Sequence, residues 1–293
     1  MRSLILPAIL LLPLSLTAQK NWVTNGDFEK GKTGWSISGP GGTPKVMAYM
    51  TDGLKNSNAF SVQAGGNTFR PPHAPLVLKQ TIVTVPNSIY EISADIAISG
   101  SVGNAQAGIF EIKIGGVSVA KKDFGRYTGG SNPHDRLCER FKLAKGGNQI
   151  LEVLISRPRY IWSSRTPRHY IDNIRLILTT DPIFCIRGDR ALGKANTYNV
   201  QGRPNAAFAV FLAPKLLPTP VPVPGFSGRY ALDVATTIPF YGGVLNGSGL
   251  HSMSFTMPNL SVLDKAPLYF QALQADKTAG LSFGPFHNWG FHK

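Results

Sequence analysis

A short stretch of this chain mixes basic and aromatic side chains, and that mixture suits the noncovalent recognition of sugars. Arg157, Tyr160 and Trp162 are followed by Arg168 and His169. An aromatic ring can lie on the apolar side of a pyranose, while a few placed polar groups bind its hydroxyls. An exposed Trp162 among arginines would suit a hydroxyl-rich or anionic glycan. The alternative is that Tyr160 and Trp162 pack inward and the arginines lie on a solvated loop.

Residues able to do covalent chemistry are present, but they do not form a recognisable active site. Residues 247–251 read Gly-Ser-Gly-Leu-His, without a G-x-S-x-G elbow, its strand–turn–helix context or an obvious partner acid. Glycoside hydrolysis needs two opposed carboxylates in a cleft, and the chain has only 16 acidic residues. We therefore expect a protein that is not an enzyme.

The N-terminus has the pattern of a secretory signal peptide. Arg2 precedes an apolar run over residues 4–16, and the small residue Ala18 follows. This pattern predicts a signal peptide over residues 1–18 with cleavage after Ala18. The run is shorter than the roughly 20 residues of a membrane span, so we expect a secreted protein with no membrane span. A buried N-terminal helix is the alternative.

The two cysteines, Cys138 and Cys185, are not in a C-x-x-C motif. In an exported chain they could form a disulfide that ties the first domain to the start of the second. Two isolated thiols are the alternative, and the sequence leaves both open.

Composition and charge narrow the range of partners. The chain carries a formal charge of +14, with 43% apolar and 16% charged residues. An excess of positive charge favours anionic partners, such as acidic or sulfated glycans. Export makes nucleic acid the least expected of these partners. The alternative is a general basicity with no specific partner.

Alternating patterns predict strands along the first 180 residues. From Tyr90 to Ser99 every second residue is apolar, which is typical of a half-buried strand. Gly115 and Gly116 separate two further alternating runs, and this spacing predicts a hairpin. With 31 glycines, 22 prolines and no long helical pattern, residues 20–180 are expected to form a β-sandwich or jelly roll.

A second strand-rich segment, residues 183–293, follows a break near Pro182. Residues 214–224 hold five prolines, which predicts an extended edge or loop rather than a central strand. Residues 269–273 read Tyr-Phe-Gln-Ala-Leu. This strand resembles one in β-sandwich modules at the C-termini of secreted bacterial proteins. We expect a second, smaller β-sandwich of unknown role.

Two motifs about 140 residues apart carry a more specific resemblance. Residues 25–29 read Asn-Gly-Asp-Phe-Glu, with Gly34-Trp35 after them, and residues 170–176 read Tyr-Ile-Asp-Asn-Ile-Arg-Leu. Together they resemble the two ends of carbohydrate-binding modules of families four and nine, which have the galactose-binding-like jelly-roll fold. The resemblance covers residues 20–180. It implies an all-β domain that closes its beginning against its last strand, with Phe28 and Trp35 in the core.

The resemblance also implies a function and a binding cleft. Such modules bind an extracellular polysaccharide without chemistry, through aromatic stacking and hydrogen bonds in a cleft on one sheet. The residues nominated for that cleft are Phe69, Arg70, Tyr127, Trp162 and His169. Phe110 alternates with Ile112 and Ile114, so we assign it to the core.

Many such modules hold a structural calcium ion, and the resemblance nominates Glu29 and Asp172 as its carboxylate ligands. Calcium takes six to eight hard oxygen ligands, and backbone oxygens of residues 55–57 could complete the shell. The alternative is that the two carboxylates cap turns or pair with Lys30 and Arg175.

Two further functions stay open at this point. The first is a structural or adhesive cell-surface or matrix protein that uses the same fold for protein contacts. The second is a hydrolase in which the first domain is a targeting module.

Overall fold

The computed structural model describes residues 20–64, 74–100, 105–127, 132–157, 167–179, 182–188 and 190–292, without the side chains of 105, 126 and 127. The described chain is built of strands, with one short 3-10 helix at Ser261–Leu263. This confirms the expected all-β class. Among these residues no helix is long and apolar enough to cross a membrane. We call residues 20–179 the first domain and residues 182–292 the second domain.

The first domain is a sandwich of two five-stranded antiparallel sheets. Sheet I has the order β1 (Ser36–Ser38), β4 (Leu76–Thr84), β11 (Gly147–Ser156), β7 (Ile109–Ile114) and β8 (Val117–Asp123). Sheet II has the order β10 (His134–Leu143), β5 (Ser88–Ser99), β12 (Arg168–Leu178), β3 (Ser57–Val62) and β2 (Lys45–Tyr49). A separate short pair joins β6 (Ala105–Gln106) to β9 (Arg126–Tyr127).

The core of this domain lies between the two sheets. In β4, Leu76, Leu78 and Ile82 are buried, while the alternate residues Lys79 and Thr81 are exposed. This two-residue period is the one that the sequence displays. Sheet I therefore has one face on the core and one face in solvent.

The N-terminal motif closes the sandwich as the resemblance implies. The ring centroids of Phe28 and Trp35 lie 5.8 Å apart inside the core. The backbone N–H of Ile174 donates to the carbonyl of Gly26 over 3.0 Å. A Cβ atom on Gly26 would lie 2.1 Å from the Ile174 carbonyl oxygen, so the two chains meet where only glycine fits. The beginning of the domain is thereby fixed to β12.

Strand β5 departs from the half-buried pattern that the sequence predicts. Its apolar side, including Ile92 and Ile96, faces the core. Its other side carries Glu91, Ser93 and Asp95, and these residues are also buried. The physical reason is that the second domain covers this part of the outer face of sheet II, where His287 approaches Glu91 and Trp289 lies on Arg136.

The second domain contains a three-stranded and a five-stranded sheet. Sheet III has the order β13 (Ile183–Arg187), β14 (Ala195–Gln201) and β20 (Leu250–Thr256). Sheet IV has the order β17 (Phe226–Ser227), β22 (Gly280–Trp289), β21 (Leu268–Asp276), β15 (Ala207–Ala213) and β19 (Ile238–Val244), with β17 parallel to β22. The core of this domain includes Phe184, Tyr198, Phe270 and Trp289.

The proline-rich segment forms an edge, as the sequence predicts. Strand β16 (Leu216–Val221) pairs with β18 (Tyr230–Leu232) as a two-stranded unit outside the larger sheets. Pro218 and Pro220 lie within β16, where the pairing register shifts. A proline has no N–H to donate, so it is compatible with this position and not with a central strand.

Candidate functional site

The outer face of sheet II carries a pair of stacked tyrosines near the β2 edge. The rings of Tyr49 and Tyr170 lie 3.6 Å apart, centroid to centroid, with planes 8° from parallel. Together with Ala59 and Ala97 they form a small apolar cluster separate from both domain cores. We call these four residues the tyrosine patch. Tyr170 is buried, whereas Tyr49 is half-buried, and its ring also stacks with that of His134 at 6.1 Å between centroids.

The register of the strands explains why the patch forms. Tyr170 of β12 lies between Ser61 of β3 and Ala97 of β5. Ala59, one pleat further along β3, is likewise small. These short side chains leave space above the sheet, so the ring of Tyr49 can lean inward from the edge strand β2.

Polar and cationic groups surround the patch. The Ser99 hydroxyl donates to the Tyr170 hydroxyl over 3.1 Å. The guanidinium of Arg168 donates to the Ser61 hydroxyl over 2.9 Å. Lys45 stands opposite Ser61 in β2 and is exposed. An aromatic surface bordered by cations and hydroxyls can hold a ring that is apolar on one side and hydroxylated at its edge.

The residues nominated from the sequence for sugar contact are distributed differently. Phe69, Arg70 and Trp162 lie outside the described residues. Tyr127 is in β9, paired with Ala105, and its side chain is also outside the description.

His169 is a correction. Its side chain is fully buried between the two sheets, with Nδ1 accepting from the Ala64 N–H and Nε2 2.7 Å from the Ala107 carbonyl oxygen. Burial lowers the pKa of His169 to about 4, so the ring is neutral. Successive residues of a strand point to opposite faces, which places His169 in the core and Tyr170 on the outer face. That alternation, visible in the sequence, would have selected Tyr170.

Glu29 and Asp172 both accept hydrogen bonds from residues at the start of β3. Glu29 accepts hydrogen bonds from the backbone N–H and the side-chain amide of Asn58, over 3.3 and 2.8 Å. Asp172 accepts from the Ser57 hydroxyl over 2.5 Å and from the Asn173 N–H over 2.7 Å. Two adjacent residues of β3 therefore bind the two carboxylates.

Asp172 is an unusual carboxyl group. Its burial raises its pKa to about 7, and the nearby carboxylates of Asp95 and Asp27 act in the same direction. Among the described residues, no ion pair joins Asp172 or Glu29 to Lys30 or Arg175. The described part of the chain has no group of three or more acidic, histidine or cysteine side chains placed to hold a metal ion. A cation at Asp172 would thus need hydroxyl or carbonyl oxygens among its ligands.

A second group of titratable residues lies buried between the domains. Arg136 donates to Asp95 over 3.3 Å, and its guanidinium carbon lies 5.1 Å from the Trp289 ring centroid. Glu91 and His287 approach to 3.6 Å. Burial raises the pKa of Glu91 to about 7 and lowers that of His287 well below its usual value. These groups hold the junction and are closed to a substrate.

One open groove runs along the same junction. It has a volume of about 490 Å³, and its lining includes Lys122, Glu139, Arg187, Asn199 and Ser252. Its charges are already matched, because Glu139 pairs with Arg187, and Lys122 pairs with Asp135 over 2.5 Å. The groove is polar and nearly balanced in charge, and no aromatic side chain is among the described residues that line it.

Comparison with known proteins gives no family. No protein-family model matches the chain, and no curated protein matches its sequence. Many solved structures are similar at low identity, among them the following three. TmCBM61 in complex with β-1,4-galactotriose is 17% identical with a TM-score of 0.34, over 54% of this chain and 99% of that one.

The other two span most of this chain. The tandem CBM22-1–CBM22-2 domain of Paenibacillus barcinonensis Xyn10C is 12% identical, with a TM-score of 0.37, over 95% of this chain and 93% of that one. The adhesin domain of Epf from Streptococcus pyogenes is 13% identical, with a TM-score of 0.32, over 94% and 98%. At such scores the likeness does not argue for a ligand or an activity.

Proposed function

We propose that this protein binds an extracellular carbohydrate without modifying it, and that the tyrosine patch is the contact surface. The observation that carries the proposal is the half-buried Tyr49 at the edge of sheet II, whose ring stacks with Tyr170 at 3.6 Å. Such a ring is already held in place when a ligand arrives, so little side-chain entropy is lost on binding. A pyranose would lie with its C–H face on Tyr49.

The charges around the patch support an anionic glycan as the ligand class. Lys45 is exposed beside the patch, and Arg168 uses one of its five N–H donors on Ser61. The remaining donors suit carboxylate or sulfate groups as well as hydroxyls. The formal charge of +14 acts in the same direction at longer range.

Secretion and calcium belong to the same proposal. Residues 1–18 lie outside the described residues, and the signal peptide stays a prediction from their sequence. Calcium would be held by the carboxylates of Glu29 and Asp172. The hard oxygens of these groups, and the absence of a described cationic partner for Asp172, fit such an ion. It would fasten the N-terminal motif to β3 and β12.

The two carboxyl groups with a raised pKa do not support the hydrolase alternative. Glu91 and Asp172 are each at most 2% exposed. Neither can reach a glycosidic bond without the structure opening.

The test is retention of the mature chain, residues 19–293, on a panel of neutral and anionic polysaccharides in affinity electrophoresis at moderate salt. We expect retention on one glycan class and its loss in Tyr49→Ala. Tyr269→Ala removes a half-buried tyrosine from the second domain and is the matched control. Equal retention of both variants would exclude the tyrosine patch. Retention on no glycan by the folded protein would reject carbohydrate binding and favour the structural or adhesive alternative.

A further inference from the structure

The only two cysteines of the chain meet across the domain junction. Cys138 lies in β10 of the first domain and Cys185 in β13 of the second. Both side chains are fully buried, and both belong to one apolar cluster. Their side chains are hydrogen-bonded to each other, and both are free thiols in this structure. Two thiols in contact satisfy the first geometric requirement for a disulfide.

The strand registers explain why the thiols face each other. Cys138 lies opposite Ser93 on the outer face of sheet II, and Cys185 lies opposite Asn199 on sheet III. These are the faces that pack together at the junction. Each cysteine is therefore directed at the other domain by the alternation of its own strand.

Polar contacts beside the cysteine pair join β10 of the first domain to β13 and β14 of the second. Arg187, two residues after Cys185, pairs with Glu139 and donates to the Cys138 carbonyl over 3.4 Å. Gln201 accepts from the Arg140 N–H and donates to Glu139, each over 2.9 Å. The backbone around Cys138 is thus anchored to sheet III independently of any sulfur–sulfur bond.

We propose that Cys138 and Cys185 form an interdomain disulfide that locks the two domains together. The oxidant is a disulfide of the thiol–disulfide exchange type, such as oxidised glutathione. One cysteine thiolate attacks a glutathione sulfur, which forms a mixed disulfide and releases one glutathione thiolate. The second cysteine thiolate attacks the protein sulfur of that mixed disulfide and releases the other. Two protein thiols are oxidised, and one oxidant disulfide is reduced to two thiols.

The order of events follows from burial. The thiolate is the attacking species, and burial, with the contact to Cys138, raises the pKa of Cys185 well above its usual value. The docked protein therefore reacts slowly. The bond forms while the domains are still coming together, and the closed junction then shields it from reductants.

The test uses the whole mature chain, reduced and unfolded, then refolded with reduced and oxidised glutathione. The folded product is denatured and treated with iodoacetamide before intact mass measurement. We expect a chain that is two hydrogens lighter than the reduced form and takes no label. Cleavage at any peptide bond between residues 138 and 185 should leave fragments that separate only after reduction.

Variants report on the consequence of the bond. Cys138→Ala and Cys185→Ala should each lower the Tm of the oxidised protein by about 5–15 °C. Reductant with mild denaturant should lower the Tm of the wild type and leave both variants unchanged. Two labels on each folded wild-type chain, a disulfide between two chains, or fragments that separate without reductant would each overturn the proposal. These mass measurements need only the wild type, so they decide the matter even if a variant does not fold.

Discussion

The ring of Tyr49 is oriented before any ligand arrives, because Tyr170 supports one of its faces and small residues lie beneath it. Lys45, by contrast, is not held in one orientation, because it is exposed on the edge strand without a described partner. The aromatic ring would thus provide most of the contact area. The lysine would act through its charge and would be sensitive to salt.

The charge effect can be measured separately from stacking. Lys45→Gln should weaken binding to an anionic glycan about three- to ten-fold at low salt, because one attractive charge is lost, and should have less effect at high salt. Isothermal titration at two salt concentrations measures this. Lys277→Gln, an exposed lysine in a turn of the second domain, is the control. A salt-independent loss, or an equal loss in the control, would contradict a local electrostatic role.

Asp172 gives a pH prediction with a defined sign. Its folded-state pKa of about 7 lies above the ordinary carboxyl value of 3.8, so the folded state prefers the protonated form. Without a metal ion, its contribution to stability is fully present below about pH 4 and is lost as the pH rises through 7. The proposed calcium ion would bind the ionised form, so the rise in Tm on adding calcium should be larger at pH 8 than at pH 5.

Scanning calorimetry with calcium or with a chelator measures this, and Asp172→Asn is the matched variant. The amide keeps the shape but neither ionises nor supplies a charged ligand. We expect its Tm to be insensitive to calcium and to decline less between pH 4 and 7. An identical calcium response in variant and wild type would remove Asp172 from the ion site.

At the scale of the elements, β12 is the last strand of the first domain, and the beginning of the domain is fixed to it. It pairs with β5 on one side and β3 on the other, and its Ile174 N–H donates a hydrogen bond to the Gly26 carbonyl. A Cβ atom added at Gly26 would lie 2.1 Å from the Ile174 carbonyl oxygen. A side chain at this position would therefore force the beginning of the domain away from β12.

Gly26→Ala should therefore destabilise the fold by about 2–4 kcal/mol, because the added Cβ meets backbone that cannot give way. Gly247→Ala is the control, since a Cβ at Gly247 has no neighbour within 4 Å. Urea unfolding of both variants measures the difference in the free energy of unfolding. Equal stability of the two variants would mean that the N-terminal motif does not close on β12 as described.

The sequence predicts these features of the fold because each depends on local geometry. The core positions of Phe28 and Trp35, the alternation in β7 and the proline edge at β16 all follow from residue types and spacing. The proposed contact residues depend on longer-range geometry. The sequence favours aromatic residues near irregular segments, whereas Tyr49 lies in the short strand β2, and its stacking depends on Ala59 and Ala97 in strands distant along the chain.

The buried outer side of β5 had no sequence signature. Glu91, Ser93 and Asp95 alternate with apolar residues as they would on a solvent-facing strand. Their burial depends on a partner surface more than 80 residues away in the chain, including Arg190 and Trp289. A pattern within one strand cannot reveal such a cover.

At the scale of the whole molecule, the second domain packs on part of the outer face of sheet II. Trp289 packs with Arg136 of the first domain and Arg190 of the second. Removing residues 182–293 would expose the charged face of sheet II. We therefore expect the first domain alone to be less stable than in the full chain, and binding measurements need the whole protein.

Trp289→Ala tests whether the two domains unfold as one unit. The loss of a fully buried tryptophan at the junction should cost about 3–5 kcal/mol and lower a single transition shared by both domains. Calorimetry and fluorescence together detect this. Two separate transitions, with only the later segment shifted, would show that the junction does not couple the domains.

The place of β12 at the centre of sheet II has a consequence for how the chain is made. Its two neighbours, β5 and β3, do not pair with each other. They are joined only through β12, which is synthesised last in the domain. Such long-range pairing makes folding slow. A nascent chain in which residues 168–178 have not yet emerged cannot complete sheet II, so this sheet can form only after the last strand of the first domain has been synthesised.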